Sequence, residues 1–170
     1  MVHRSRFAAT AAGVLLATAT GATVPASAAP RPAPAAATAL VTGARWGTHC
    51  SYDRIVVDVR GTLPPVTVRT VAGLRYDGPG TKVPLAGKRF LEIRIAPAAA
   101  HDAGGNSVYE GPRLARTGLP ALKGVALTGD FEGAVTLGAA FGTEPDYRTH
   151  RLHSPERFVI DVRHAPACGG

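Results

Sequence analysis

From Leu40 to the end of the chain, the longest stretch free of both glycine and proline is Thr48 to Arg60. Residues 40 to 170 hold 18 glycines and 10 prolines. In a helix interior each glycine costs about 1 kcal/mol and each proline about 3 kcal/mol relative to alanine, so helix bundles and coiled coils are excluded. Short strands joined by turns are what remains. If the first 28 residues are a removable segment, 142 are left, enough for one core and too few for two.

Period-two alternation with β-branched content predicts eight strands, at 40–46, 53–60, 66–71, 89–95, 122–128, 133–141, 147–153 and 156–163. In 53–60, Ile55, Val57 and Val59 face one side and Arg54, Val56, Asp58 and Arg60 the other. In 89–95, Leu91, Ile93 and Ile95 point inward. PAAAHD at 97–102 reads as a single helical turn, and GGNSVYEGP after it as a loop. The expected fold is all-β, a compact antiparallel β-sandwich or squashed barrel of about eight short strands. One echo runs through it: SYDRIVVDVR at 51–60 and SPERFVIDVR at 154–163 agree at six of ten positions. Either half-buried strands after a turn converge on this pattern, or the two hold equivalent places in two sheets of a pseudo-symmetric sandwich.

The opening MVHRSR, the apolar FAATAAGVLLATATGATV and the small residues Ala26 and Ala28 predict a signal peptide over 1–28, cleaved after Ala28. The apolar stretch is mostly alanine, threonine and glycine, a weak membrane anchor. Residues 29–39 read as a Pro/Ala-rich linker, 40–164 as the domain and 165–170 as a tail. A secreted chain without stable membrane insertion is expected. In an oxidising compartment Cys50 and Cys168 have one possible pairing, and a disulfide would tie the tail to the body.

Without Arg4 and Arg6 the charge balance is 17 basic to 12 acidic. No basic run exceeds Lys88-Arg89, which argues against a nucleic-acid partner. G-x-S-x-G, H-E-x-x-H and C-x-x-C patterns are absent, so no catalytic residue, cofactor or metal ligand is assigned. His150 and His153 fall on opposite faces of a predicted strand. His49, Cys50, His164 and Cys168 gather only if the chain ends meet, and a disulfide with two solvated histidines accounts for the same letters. The loop from His101 to Asn106 has a faint calcium-loop look through Asp102, but too few carboxylates, and reads as a turn. Asp130 and Glu132 suit a glycosidase pair only with a sugar between them, and otherwise mark a solvated turn.

Surface recognition is the remaining chemistry. Arg54, Asp58, Arg60, Arg157, Asp161 and Arg163 combine guanidinium forks with carboxylates, which suits sugar hydroxyls, acetamido groups and peptide carboxylates. The same charges can simply pair across neighbouring strands. Trp46, Tyr52, Tyr76, Tyr109 and Tyr147 either supply stacking surfaces or plug the sandwich edges.

The runs VTGARWGTHCSYDRIVVDVRG, KVPLAGKRFLEIRIAPAAAHD, LPALKGVALTGDFEGAVTLG and SPERFVIDV together resemble the AMIN-like domain of exported actinobacterial proteins, over about residues 40–164. SPERFVIDV also resembles the end of the broader AMIN domain found beside cell-wall amidases and in pilus secretins. The resemblance implies a sandwich of two small sheets acting as a noncatalytic module that binds peptidoglycan or positions its host protein in the envelope. The echo presents Arg54, Asp58, Arg157 and Asp161 twice in equivalent positions, and these are the expected ligand-binding residues. Two other readings stay open: a module docking an envelope protein or secretion apparatus by strand addition at a sheet edge, and a small wall hydrolase using Asp130 and Glu132 or a metal at the chain ends.

Overall fold

Alternating apolar residues give each predicted strand one face to bury, and two such sheets cover each other. The computed structural model describes residues 38–168. Ten strands form: β1 (Ala39–Thr48), β2 (Tyr52–Arg60), β3 (Val66–Val71), β4 (Arg89–Ile95), β5 (Ala98–Ala99), β6 (Leu114–Arg116), β7 (Leu122–Phe131), β8 (Ala134–Phe141), β9 (Tyr147–Leu152) and β10 (Arg157–Arg163). They make two five-stranded sheets, β5-β1-β2-β10-β9 (sheet A) and β3-β4-β8-β7-β6 (sheet B). Pairing is antiparallel except between β1 and β5. All eight expected strands are present. The expected signal peptide and nearly all of the expected linker lie outside the described residues.

Three expectations need correction. There are ten strands rather than eight, because β5 and β6 are too short to leave an alternating pattern. Residues 97–102 form no helical turn: Ala98 and Ala99 pair beside Ala39 and Leu40, and the Asp130 carboxylate accepts the Ala100 N–H at 2.9 Å. The echo strands do not hold places in two sheets. They are β2 and β10, antiparallel neighbours in sheet A, with Val56 opposite Val159 at the centre of a local two-fold relation.

Ile55, Val57 and Ile160 of sheet A meet Leu91, Ile93, Leu137 and Phe141 of sheet B in the main core. Burying one such side chain contributes about 1.5–3 kcal/mol. A second, smaller cluster lies on the far side of sheet B, where Leu74, Val83 and Leu85 pack on Phe90, Ala126 and Ala140. These three come from a turn-rich strap, residues 72–88, so β8 is buried along its whole length. Glycines make room for the strap: a Cβ on Gly138 would lie 2.5 Å from Leu74 Cδ1, and one on Gly124 2.5 Å from Leu85 Cδ2. Strand β8 is thus covered on both faces, while Arg69 of β3 and Arg94 of β4 stay exposed on the outer face of sheet B. The outer face of sheet A carries charged side chains.

Cys50, just after β1, is bonded to Cys168, with Cα atoms 5.1 Å apart across a sequence separation of 118. The tail is fastened to the start of β2, as expected.

Candidate functional site

The register of sheet A determines which side chains share its outer face. Asp161 lies opposite Arg54 and Arg157 opposite Asp58; on the flanking strands Arg148 lies opposite Asp161, His150 opposite Val159 and Arg45 opposite Val56. Alternation adds Arg60 of β2 and Arg163 of β10. The face therefore presents six arginines, Arg45, Arg54, Arg60, Arg148, Arg157 and Arg163, against two aspartates, Asp58 and Asp161.

Both aspartates are already engaged. Arg54 grips Asp161 with two parallel hydrogen bonds, Nε to Oδ1 at 2.7 Å and Nη2 to Oδ2 at 2.8 Å. His150 Nε2 lies 3.3 Å from the same carboxylate. The hydrogen bonds from Arg54 hold the Asp161 carboxyl below the usual carboxylate range, against a smaller opposing push from burial. Asp58 accepts Arg45 Nε and Nη2, both at 3.0 Å. Arg157 lies opposite Asp58 but donates to the Pro155 carbonyl at 3.2 Å. Among the described residues, Arg60, Arg148 and Arg157 have no carboxylate partner.

Two grooves flank the Arg54–Asp161 pair. One, of about 420 Å³, is lined by Ser51, Tyr52, Arg148, His150, Asp161, Arg163 and His164. The other, of about 200 Å³, runs between Arg45, Trp46, His49 and Arg54. Tyr52 separates them: its ring stacks on His49 with centroids 4.3 Å apart, and the Arg54 guanidinium lies 5.2 Å from its centre.

All four residues expected from the echo, Arg54, Asp58, Arg157 and Asp161, share this face. Arg54 and Asp161 form one clamp, Asp58 belongs to a second with Arg45, and Arg157 stands apart. The local two-fold is broken where β1 supplies Arg45. Sequence reasoning missed Arg148 and weighed His150 only as a metal ligand, although YRTHRL alternates them on one side of a strand. Asp53 was missed as well. It shares the inward parity of Ile55 and is fully buried, with Oδ2 accepting the N–H groups of Ala121 at 2.7 Å and Leu122 at 2.8 Å. Because Leu122 opens β7, this carboxylate ties sheet A to sheet B. His164 Nε2 lies 3.4 Å from Asp53 Oδ1, neither atom having a hydrogen-bond partner among the described residues, while Nδ1 faces the Ala165 carbonyl at 2.6 Å.

The other candidates have structural roles. Asp102 Oδ1 accepts the N–H groups of Gly104 and Asn106, both at 2.9 Å, which closes its loop as a turn. The Asn106 backbone N–H is the main reason its carboxyl sits below the ordinary range. Asp130 bonds Ala100 N–H and His101 Nδ1, while Glu132 and Gly133, with φ of 49° and 69°, form the β7–β8 turn. Asp130 lines a groove of about 610 Å³ with Phe131 and Tyr76, and Glu132 does not. His153 pairs with Glu156 at 2.7 Å rather than with His150. Among the described residues no His, Cys, Asp and Glu side chains cluster as a metal site. Of the aromatic rings, Tyr109 is buried in the core, and Trp46 and Tyr147 pack against it; Tyr52 alone stacks on the outer face of sheet A.

No curated protein and no solved structure matches the chain. The AMIN-like domain family matches it over residues 39–164, from the first residue of β1 to the residue after β10. A two-sheet sandwich that begins and ends at those bounds, and a sequence match across nearly all of it, place this chain in the AMIN-like domain family.

Proposed function

We propose that this chain is an exported, noncatalytic cell-envelope module that binds peptidoglycan through the outer face of sheet A. The observation that carries this reading is the imbalance of that face: its two aspartates are already engaged by Arg45 and Arg54, and Arg60, Arg148 and Arg157 have no carboxylate partner among the described residues. Such donors suit the carboxylates and acetamido oxygens of a cross-linked glycopeptide. The disulfide supports an oxidising, extracytoplasmic location. Family membership supports an envelope role.

Arg54 cannot be removed without stranding the Asp161 carboxylate, so it is a poor probe of binding. Arg148 and Arg157 have no carboxylate partner, and the double variant Arg148→Ala with Arg157→Ala leaves both clamps intact. Retention on purified insoluble peptidoglycan is expected to fall at least tenfold, with unchanged thermal stability. Equal retention by the folded double variant and the wild type would remove this face as the binding site.

One observation favours a second reading. β9 pairs only with β10 among the described residues, and its side chains are mostly exposed. That open edge suits addition of a strand from an envelope protein. It predicts capture of one defined protein with no binding to bare peptidoglycan.

A further inference from the structure

The 420 Å³ groove beside Tyr52 has a charge balance that can be counted residue by residue. Arg54 and Asp161 neutralise one another through two hydrogen bonds. Arg163 and Asp146 meet only at 3.4 Å, with side chains 52% and 69% exposed, so that pair is loose and open to rearrangement. Arg148 has no ion-pair partner among the described residues, because the carboxylate opposite it is held by Arg54. Among the arginine and aspartate side chains that line the groove, Arg148, Arg163 and Asp161, one positive charge is in excess, enough for a monoanion; the Asp53 carboxyl lies fully buried behind His164. The groove's size suits a group of a few residues rather than a single ion. The Tyr52 ring forms one wall and the His150 ring another.

We infer that this groove is a carboxylate-binding subsite, in which the Arg148 and Arg163 guanidinium groups hold the terminal carboxylate of a short peptide and Tyr52 and His150 flank its last side chain. The inference deepens the wall-binding reading and rests on it only for the natural source of that carboxylate. A guanidinium matches a planar carboxylate with two parallel hydrogen bonds, and Arg54 already holds Asp161 this way on the same face. A phosphate dianion would leave the groove with a net negative charge, and is the less favoured occupant.

The test uses the full, disulfide-intact, isotope-labelled chain and follows the arginine Nε–H signals during titration. N-acetylalanine is the probe, N-acetylalaninamide its neutral control and inorganic phosphate the competing anion. Saturable shifts of Arg148 and Arg163 with the acid, and none with the amide, are expected. Arg148→Ala should weaken the dissociation constant by about tenfold, the loss of a charge-assisted hydrogen bond. Arg94→Ala, on the outer face of sheet B, should leave it unchanged. Equal shifts with the amide, tighter binding of phosphate than of the acid at matched ionic strength, or an unaltered response in Arg148→Ala would each overturn the subsite. Wall retention measured on the same samples separates the two claims. Carboxylate binding without retention keeps the subsite and removes the peptidoglycan reading; retention without carboxylate binding does the reverse.

Discussion

Asp53 is the side chain whose removal should damage this fold most for its size. It is fully buried on β2, and its Oδ2 accepts two backbone N–H groups at the entry to β7 in the opposite sheet. Asp53→Ala leaves both donors without an acceptor. At about 1–3 kcal/mol for each stranded group, the expected loss is about 2–6 kcal/mol. A domain of this size is stable by roughly 5–15 kcal/mol, so the variant should sit near the edge of folding. Asp53→Asn keeps an oxygen for the two N–H groups while losing the charge and putting an amide NH2 in place of Oδ1, so its expected cost is about 1–2 kcal/mol. Urea denaturation of both variants with the disulfide intact gives the comparison. If Asp53→Ala fell within about 0.5 kcal/mol of wild type, the range of ordinary surface changes, the inter-sheet tie would carry no weight. If Asn were as damaging as Ala, the charge facing His164 would matter more than the backbone acceptors.

Three further outcomes are expected. Gly138→Val should drive its side chain into Leu74 and cost about 1–3 kcal/mol, with faster amide exchange confined to the 72–88 strap; unchanged exchange there would refute the packing argument. Reducing Cys50–Cys168 should lower stability by up to about 4–5 kcal/mol, the chain-entropy value for a closed loop of that length, read as a shift in the urea midpoint. The Asp161 carboxyl is depressed by Arg54, so the pair stabilises fully above the unfolded aspartate value near 3.9. That stability fades as pH falls through the lower folded value, so Asp161→Asn should flatten the acid limb of a stability–pH curve, and an unchanged limb would contradict the assignment.

The long strands were legible because a half-buried strand must alternate, and DRIVVDVR and RFLEIRI place Ile55, Val57 and Val59 and Leu91, Ile93 and Ile95 at every second position. The strap was not, because Leu74, Val83 and Leu85 sit among glycines and prolines at no fixed period. Its trace in the sequence is indirect: Gly124 and Gly138, unusual inside strands, mark where another segment comes close. Asp53 was legible in principle, since a carboxylate on the inward parity of a strand needs a buried partner. The echo gave the right residues for the outer face and the wrong geometry. Sequence similarity between two strands says nothing of whether they pair, and here Arg54 finds Asp161 because the copies run antiparallel side by side. Arg148 was passed over, and His150 was weighed only as a metal ligand, because both lie outside the echo, on the strand that flanks it.

The central claim, that sheet A recognises peptidoglycan itself, is tested most directly by sedimenting the full oxidised chain with bare insoluble peptidoglycan and with wall that retains its anionic polymers, across a salt series. Hydrogen-bonded recognition predicts binding to the bare polymer that survives about 0.5 M salt, where exposed charges are screened within a few ångströms. Binding that requires the anionic polymers and vanishes at that salt would reduce the face to general charge attraction and contradict the account.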